Sequence, residues 1–245
     1  MSAARFLIDG ERLRSDERIT LDGEEGRHAS VVRRIGPGEL VDLTDGRGHV
    51  ARCVVAAADR FGLVCDVRER VDVPKPAPRL VVAQALQKGD RGELAVETMT
   101  EVGVDEVVPW LAQRCVTRWQ GDRGARALRR WRTTAREAAK QSRRAWLADV
   151  TEPATTAQLA DRMSAAALPI VLHEEASGPL SGVELPAEGE IVVAVGPEGG
   201  VAPDELDAFT TAGARVASLG PTVLRTSTAG TVAAGVVLSR TARWR

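Results

Sequence analysis

Short runs of β-branched and apolar residues alternate with helix-forming stretches through the last two thirds of this 245-residue chain. The five runs are residues 80–83, 106–109, 170–172, 191–195 and a weaker one at 214–219. Helical patterns fill the remainder near residues 90–102, 123–146, 155–166, 203–212 and 226–240. Two parallel neighbouring strands need a long crossover connection, and a helix between the strands supplies one, so this alternation is typical of parallel pairing. The pattern therefore predicts an α/β domain with a largely parallel sheet.

A proline-rich segment separates this domain from a region with a different pattern. Residues 73–78 read Val-Pro-Lys-Pro-Ala-Pro, and prolines fix φ and remove backbone donors, so we expect an extended linker over residues 74–78. Before it, short apolar runs are separated by turn signals such as Asp-Gly-Arg-Gly at residues 45–48, which is typical of a hairpin. Residues 1–73 are therefore predicted to form a small β-barrel domain, and residues 79–245 the α/β domain.

The cysteines and the hydropathy pattern indicate a compartment. Cys53, Cys65 and Cys115 are odd in number and lack the close spacing of a zinc site, so we expect buried free thiols in a reducing environment. The longest apolar-leaning run, residues 226–239, is shorter than the roughly 20 residues that cross a bilayer. No apolar signal segment follows Met1. We expect a cytoplasmic protein with no membrane association.

The charges of the chain are unevenly distributed. The totals nearly cancel, with 33 Lys and Arg against 34 Asp and Glu, but residues 113–146 contain 11 basic and 2 acidic side chains. Apolar residues recur there every three or four positions, so one helical face can pack in the core while arginines occupy the other. Trp131 falls on the apolar face. The excess favours a polyanion-binding face, with RNA or DNA as the ligand; a solvated basic surface is the alternative.

Three of the predicted strands end in polar or glycine-rich loops. These are His-Glu-Glu at residues 173–175, Gly-Pro-Glu-Gly-Gly at 196–200, and the segment 220–229, in which Thr226, Ser227 and Thr228 are good N-cap residues for the last helix. Ligands of open α/β sheets bind beyond the carboxyl ends of the strands, where glycines let the backbone approach them. Any one loop is explained by a plain turn, but the three together predict a binding site. Nucleotide-binding and nucleophile-elbow motifs are absent, which favours a metal-free ligand for group transfer.

Two of these loops carry the motifs of a known family. Gly-Pro-Glu-Gly-Gly at residues 196–200, followed by Leu-Gly-Pro-Thr-Val-Leu-Arg-Thr-Ser-Thr-Ala at 219–229, closely resembles the RsmE family of 16S rRNA (uracil-N3)-methyltransferases, which belong to the SPOUT class. Segments 5–7 and 28–34 are similar to the family's PUA-like RNA-binding domain. Further similarity lies at residues 87–91, 101–104 and 140–144. The chain departs from the family at Ser227 and Lys140, where Glu is common.

The resemblance implies a fold, a cofactor and a substrate. It implies a SPOUT-type α/β domain with a C-terminal trefoil knot, a PUA-like N-terminal β-barrel, and a homodimer. It also implies S-adenosyl-L-methionine as the methyl donor and a uridine in 16S rRNA of the small ribosomal subunit as the acceptor. The residues expected to bind the cofactor are Leu172, His173, Gly196, Glu198, Gly199, Gly200, Leu219, Gly220, Leu224 and Arg225. Those expected to contact RNA are Arg5, Arg33, Arg34, Lys88, Arg143 and Arg144.

Methylation of uridine N3 requires loss of the imide proton, because the neutral nitrogen is a poor nucleophile. A nearby guanidinium favours the uridine anion by lowering its pKa. Arg225 is the first candidate for that catalytic role and Arg5 the second, by analogy with the family; Glu198 is the candidate base. Each has a simpler alternative, since Arg225 can bind a phosphate and Glu198 can order backbone N–H groups. Two other functions stay open: a SPOUT enzyme acting on a ribose 2′-O, and a non-catalytic RNA-binding module.

Overall fold

The computed structural model describes residues 3–244, which divide into two compact units. The first unit contains the chain through Lys75 together with a returning segment, Ala139–Leu147. The second contains Pro76–Ala138 and the chain from Ala148 onward. The division between Lys75 and Pro76 falls where the sequence predicts a linker, whereas nothing in the sequence predicted the returning segment.

The first unit is built on a five-stranded sheet. Its strand order is β1-β3-β4-β5-β2, and all pairs are antiparallel except β1 with β3. Residues 45–48 join β3 to β4, which confirms the predicted hairpin. The apolar side of the sheet buries Phe6, Ile19 and Leu43. The strands are β1 (Ala4–Leu7), β2 (Arg18–Leu21), β3 (Leu40–Thr44), β4 (His49–Asp59) and β5 (Gly62–Asp72), with helices α1 (Gly10–Ser15) and α2 (Gly23–Arg27) and a π-helical turn (His28–Val32).

Hydrogen bonds and an ion pair hold the returning segment in the first unit. The Lys140 ammonium lies 2.7 Å from the Glu25 carboxylate, and Trp146 Nε1 donates to the Val73 carbonyl at 2.9 Å. The Leu147 N–H donates to the Gly46 carbonyl at 2.9 Å. The predicted helix over residues 123–146 is therefore too long: it ends at Gln141, and Arg143 takes a left-handed φ of 57° that helix geometry excludes.

The second unit contains the predicted parallel sheet. Its order is β11-β9-β10-β6-β7-β8, and every pair is parallel. The five predicted runs are all strands. The sheet has a sixth strand, β8, which at two residues is too short to be predicted from the sequence. The strands are β6 (Arg79–Ala85), β7 (Glu106–Trp110), β8 (Asp149–Val150), β9 (Leu168–Leu172), β10 (Glu190–Val195) and β11 (Arg215–Ala217), and the helices are α3 (Arg91–Val102), α4 (Gly121–Gln141), α5 (Thr156–Ala165), α6 (Pro203–Thr211) and α7 (Thr226–Ser239).

The core of the second unit lies on both faces of its sheet, and the central strand β10 is buried within it. Every residue of β10 from Ile191 to Val195 is buried, as expected for a strand covered on both faces. Trp131 is 2% exposed and packs edge-on against Trp119, with ring centroids 4.9 Å apart. This confirms the prediction that Trp131 is a core residue.

The three cysteines are buried and free, as predicted. Burial raises the pKa of the Cys53 thiol to about 12 and that of Cys65 to about 11. In residues 3–244, no group of three His, Cys, Asp or Glu side chains is placed to hold a metal ion. None of the helices in that range has both the length and the apolar character required to cross a bilayer.

Ion pairs link the amino-terminal residues of three strands in the second unit to one another and to α5. Arg162 of α5 binds Glu190 through two 2.8 Å contacts and also contacts Glu106, which in turn pairs with Arg79. These three strand residues are the first of β6, β7 and β10. Hydrogen bonds to Glu190 and Glu106 raise the pKa of the Arg162 guanidinium, so Arg162 stays charged throughout the physiological range.

Candidate functional site

A cavity of about 610 Å³ lies at the opposite, carboxyl ends of the strands in the second unit. The loops after β6, β9, β10 and β11 line it, together with the first turn of α7. Its volume falls within the range of small-molecule sites, which is roughly 300–1,000 Å³. Its position is the one expected for ligands of an open parallel sheet.

The loop after β10 requires its glycines. The Gly200 N–H donates to the Pro197 carbonyl at 2.9 Å, which closes a tight turn, and Gly200 has a φ of 75°. A side chain at Gly196 would place its Cβ 2.8 Å from Val201 Cγ2, closer than real Cβ contacts. The loop therefore presents backbone, rather than side chains, to part of the cavity.

Two side chains hold this loop in place. The Arg114 guanidinium donates to the Gly199 carbonyl at 3.0 Å, so one arginine of the basic segment 113–146 supports the cavity wall. Just beyond the loop, the buried Glu205 carboxylate accepts from the Ala202 N–H at 3.2 Å and from the Gln113 N–H at 2.8 Å, so it links the end of the loop to the segment that carries Arg114.

The loop after β9 contributes His173. Its N–H donates to the Ala217 carbonyl at 3.0 Å, which ties the loop to the neighbouring strand β11. The ring is half-buried, and Nδ1 accepts from the Glu175 N–H at 3.2 Å. With Nδ1 as the acceptor, the neutral ring carries its proton on Nε2. His173 is thus both a satisfied loop histidine and a residue that lines the cavity.

The loop after β11 leads into α7. Gly220 has a φ of 140°, and the Arg225 carbonyl accepts from the N–H groups of Thr228 and Ala229. Arg225 is therefore the N-cap, and the prediction that Thr226, Ser227 or Thr228 caps the helix was wrong, because all three lie within its first turn. Thr226 is buried as the first helical residue, while the Arg225 side chain is exposed and lines the cavity.

All ten residues predicted to bind the cofactor line this one cavity, although they come from three separate loops. Glu198, the candidate base, is exposed at its wall. The lining carries cationic Arg91 and Arg225 together with anionic Glu174 and Glu198. An arrangement of glycine backbone, two guanidinium groups and carboxylates suits a polar ligand that carries both charges.

Arg5, the second catalytic candidate, belongs to the first unit and is engaged there. Nη2 donates to Asp42 at 2.8 Å, and Nη1 donates to the Arg143 carbonyl. Its side chain is 14% exposed. These contacts connect β1 to β3 and to the returning segment, so Arg5 stabilises the first unit. A catalytic role for Arg5 requires that they open, and it stays a prediction.

The residues predicted to contact RNA are distributed over both units. Arg33 and Arg34 are exposed after the π-helical turn of the first unit, and Arg143 is exposed in the returning segment. Arg144 donates from Nε to the Trp146 carbonyl at 3.0 Å. Lys88 is exposed in the second unit, in the loop after β6.

Acidic residues of neighbouring elements neutralise part of the basic helix α4. Arg130 pairs with Glu93 of α3, and Arg132 pairs with Glu152, each at 2.9 Å. Arg123, Arg126 and Arg129 are exposed on the same helix. The exposed arginines keep α4 a candidate nucleic-acid interface.

Sequence analysis assigned no role to two cavity residues, Gln87 and Arg91. Both follow β6, so the rule that located the other loops, binding beyond the carboxyl ends of strands, applies to them equally. Gln87 is 5% exposed, and neither polar atom of its amide has a hydrogen-bond partner among residues 3–244.

Comparison with known proteins defines the class. The family model described as an RNA methyltransferase domain matches residues 74–238. A second family model, described as an RNA methyltransferase PUA domain, matches residues 21–67. The fold and these matches identify an RNA methyltransferase with a PUA domain.

Individual relatives narrow the class to a family. Ribosomal RNA small subunit methyltransferase E of Mycobacterium bovis is 50% identical over 228 residues, covering 91% of this chain and 87% of that protein. The Bacillus subtilis protein of the same name is 29% identical and covers 92% of each chain. The chain belongs to the ribosomal RNA small subunit methyltransferase E (RsmE) family.

A solved structure agrees with the fold. The crystal structure of ribosomal RNA small subunit methyltransferase E from Neisseria gonorrhoeae, bound to S-adenosyl methionine, superposes with a TM-score of 0.84. It is 23% identical and covers 97% of this chain and 98% of that one. At that identity the likeness establishes the fold alone.

Proposed function

We propose that this chain transfers a methyl group from S-adenosyl-L-methionine to N3 of a uridine in 16S rRNA of the small ribosomal subunit. One observation carries the proposal: the ten residues chosen from the sequence for the cofactor, on three separate loops, border a single cavity of about 610 Å³. A Neisseria relative of the same fold was solved with S-adenosyl methionine, and the Mycobacterium relative is named for the small-subunit RNA.

The cavity fits this cofactor on chemical grounds. The glycines of residues 196–200 and Gly220 bring backbone N–H and C=O groups to its wall, which suits a ligand with a polar amino-acid end and a nucleoside. Glu174 and Glu198 supply negative charge for a sulfonium. When bound, the cofactor supplies an electrophilic methyl group on positively charged sulfur, so the protein needs no metal.

The catalytic task of the chain is to prepare the uridine. Arg225 places a guanidinium at the cavity, where it lowers the pKa of the imide by stabilising the anion. Glu198 is the candidate base that accepts the N3 proton, directly or through a water molecule. Glu198 follows β10 and Arg225 caps α7, so the fold brings both side chains to one cavity and their orientation contributes to the rate.

The remaining features of the proposal concern assembly and RNA. We propose a homodimer, in the cytoplasm, in which the first unit and the exposed arginines of α4 bind the RNA backbone. We also propose the C-terminal trefoil knot. Its support is that β11 lies at the edge of the sheet, while α7 packs on the central strands β6 and β10. Residues 218–225 must therefore cross back over the strand ends.

Calorimetry and nucleoside analysis separate this function from its alternatives. Titration of S-adenosyl-L-methionine into the purified protein should release or absorb heat with a saturating isotherm. An absence of binding would leave the non-catalytic RNA-binding module. Ribosomal RNA treated with enzyme and cofactor should yield 3-methyluridine; the appearance of a 2′-O-methylated nucleoside instead would favour the ribose methyltransferase.

A further inference from the structure

The amide of Gln87 is a buried polar group that none of the described residues satisfies. Gln87 is 5% exposed, its Oε1 and Nε2 atoms have no hydrogen-bond partner among residues 3–244, and the residue is one of those that border the cavity. Buried side-chain amides in folded proteins almost always have a partner, and an unpaired one is costly. A side chain of this kind at a cavity wall indicates a ligand that completes its hydrogen bonds.

Gln87 belongs to a different loop from those assigned to the cofactor. Those loops follow β9, β10 and β11, whereas Gln87 follows β6, the neighbour of β10. Arg91 lies four residues further on, as the first residue of α3, and lines the same cavity. The segment after β6 therefore brings a neutral amide and a guanidinium to the cavity rather than glycine backbone.

We propose that Gln87 is the residue that recognises the target base, with its Nε2 donating a hydrogen bond to O4 of the uracil. This inference rests on the proposed function. An amide donor is complementary to the O4 carbonyl of uracil. A base carbonyl that accepts from this buried donor removes the cost of leaving the donor unpaired.

The same hydrogen bond assists the reaction. When N3 loses its proton, the negative charge spreads over N3, O2 and O4. A donor on O4 then binds more strongly than it does to the neutral base, and a guanidinium at Arg91 adds a favourable charge. Interactions that strengthen towards the transition state raise kcat rather than only lowering KM.

The test compares two variants with a control. Gln87→Met keeps the size of the side chain and removes its polar atoms, and Gln87→Glu keeps the shape but replaces the donor by a carboxylate that repels the uridine anion. Glu188→Met is the control, because Glu188 is exposed in the loop before β10 and does not line the cavity. For each protein, formation of 3-methyluridine is measured on unmodified small subunits. Cofactor affinity is measured by calorimetry, and Tm by thermal unfolding.

For Gln87→Met we expect kcat/KM to fall by about 10- to 100-fold, for Gln87→Glu by more, and for the control not at all. Cofactor affinity and Tm should stay near those of the unmodified chain, because the amide makes no hydrogen bond to residues 3–244 that the substitution would remove. Substrate RNA with 4-thiouridine at the target provides a second readout. The preference of the unmodified enzyme for uridine over 4-thiouridine, a poorer acceptor, should shrink in Gln87→Met.

The outcomes separate this inference from the function beneath it. If the unmodified enzyme forms 3-methyluridine and Gln87→Met matches its kcat/KM, the inference is wrong and the function stands. A loss of cofactor affinity in Gln87→Met would assign the amide to the cofactor and also overturn it. If the unmodified enzyme forms no 3-methyluridine, the proposed function fails first and the recognition of uracil fails with it.

Discussion

The two ends of the strands in the second unit differ in how their polar groups are satisfied. At the amino ends, charged side chains that begin three strands pair with one another and with Arg162. At the carboxyl ends, glycines with left-handed backbone and an unpaired amide line a cavity. The same strands thus carry a closed ion network at one end and an incomplete set of partners at the other. We infer that the amino end serves stability and the carboxyl end serves binding.

The largest expected effect separates stability from binding at the amino end. In Glu106→Gln, the buried carboxylate between Arg79 and Arg162 loses its charge, and Glu190 stays as the carboxylate partner of both guanidinium groups. Hydrogen bonds to charged groups contribute about 1.5–3 kcal/mol each, so weakening two of them should cost about 3 kcal/mol of unfolding free energy. Urea unfolding should show this loss, while calorimetry on the folded protein should show unchanged cofactor affinity.

The matched control for that variant is Glu152→Gln. Glu152 also pairs with an arginine, at 2.9 Å, but its side chain is 76% exposed. Exposed pairs contribute about 0–1 kcal/mol, so this variant should unfold nearly as the unmodified chain does. Equal losses in the two variants would contradict the role given to the buried network.

The next effect is the reverse, a loss of binding without a loss of fold, in Gly200→Val. Gly200 has a φ of 75°, which a β-branched residue does not adopt without strain, and it lines the cavity. We expect cofactor affinity to fall by about 100-fold or more, through the changed loop and the added side chain.

Gly213→Val controls for the backbone strain. Gly213 has a similar φ of 89°, and a Cβ there would meet nothing within 4 Å. It lies after α6, away from the cavity, so it should lower Tm by an amount similar to Gly200→Val and leave cofactor affinity unchanged. If both variants lost cofactor binding, general destabilisation would explain the result.

The sequence predicts those parts of the fold and site that depend on neighbouring residues, and it misses those that depend on contacts between residues far apart in the chain. Strands such as β10 and the loops that follow them are local patterns, and they were predicted within a few residues. The returning segment was not, because it is held by Gly46 and Val73, about 75 to 100 positions away. The end of α4 was also missed, since Arg143 takes a left-handed φ without the glycine that usually marks one. The unsatisfied amide of Gln87 is a property of packing alone.

A variant of Arg225 separates catalysis from cofactor binding at the carboxyl ends of the strands. Arg225→Lys keeps a positive charge at the cavity but loses the planar guanidinium. We expect kcat to fall by about 10- to 100-fold, because the charge that stabilises the anion is misplaced, with cofactor affinity changed by much less. A large loss of cofactor affinity with kcat retained would assign Arg225 to cofactor binding instead.

The smallest expected effect concerns the support behind the glycine loop. Arg114→Ala removes the 3.0 Å hydrogen bond to the Gly199 carbonyl without touching the turn itself. One such bond to an exposed loop contributes about 0.5–1.5 kcal/mol, so cofactor affinity should weaken by roughly 3- to 10-fold. Arg118→Ala is the comparison, because Arg118 bonds to the Ala112 and Gln113 carbonyls but not to the loop. Calorimetry on both variants tests whether the loop depends on Arg114.

The most direct test of the carboxyl-end cavity as the methyl-transfer site is isotope labelling of the RNA. Small subunits that lack the modification are incubated with the protein and with methyl-labelled S-adenosyl-L-methionine, and the nucleosides of the 16S rRNA are separated by mass spectrometry. The unmodified chain should produce labelled 3-methyluridine, and Gly200→Val should produce none while Glu106→Gln still does so below its Tm. Labelled 2′-O-methylnucleosides, or equal labelling by Gly200→Val, would contradict the account.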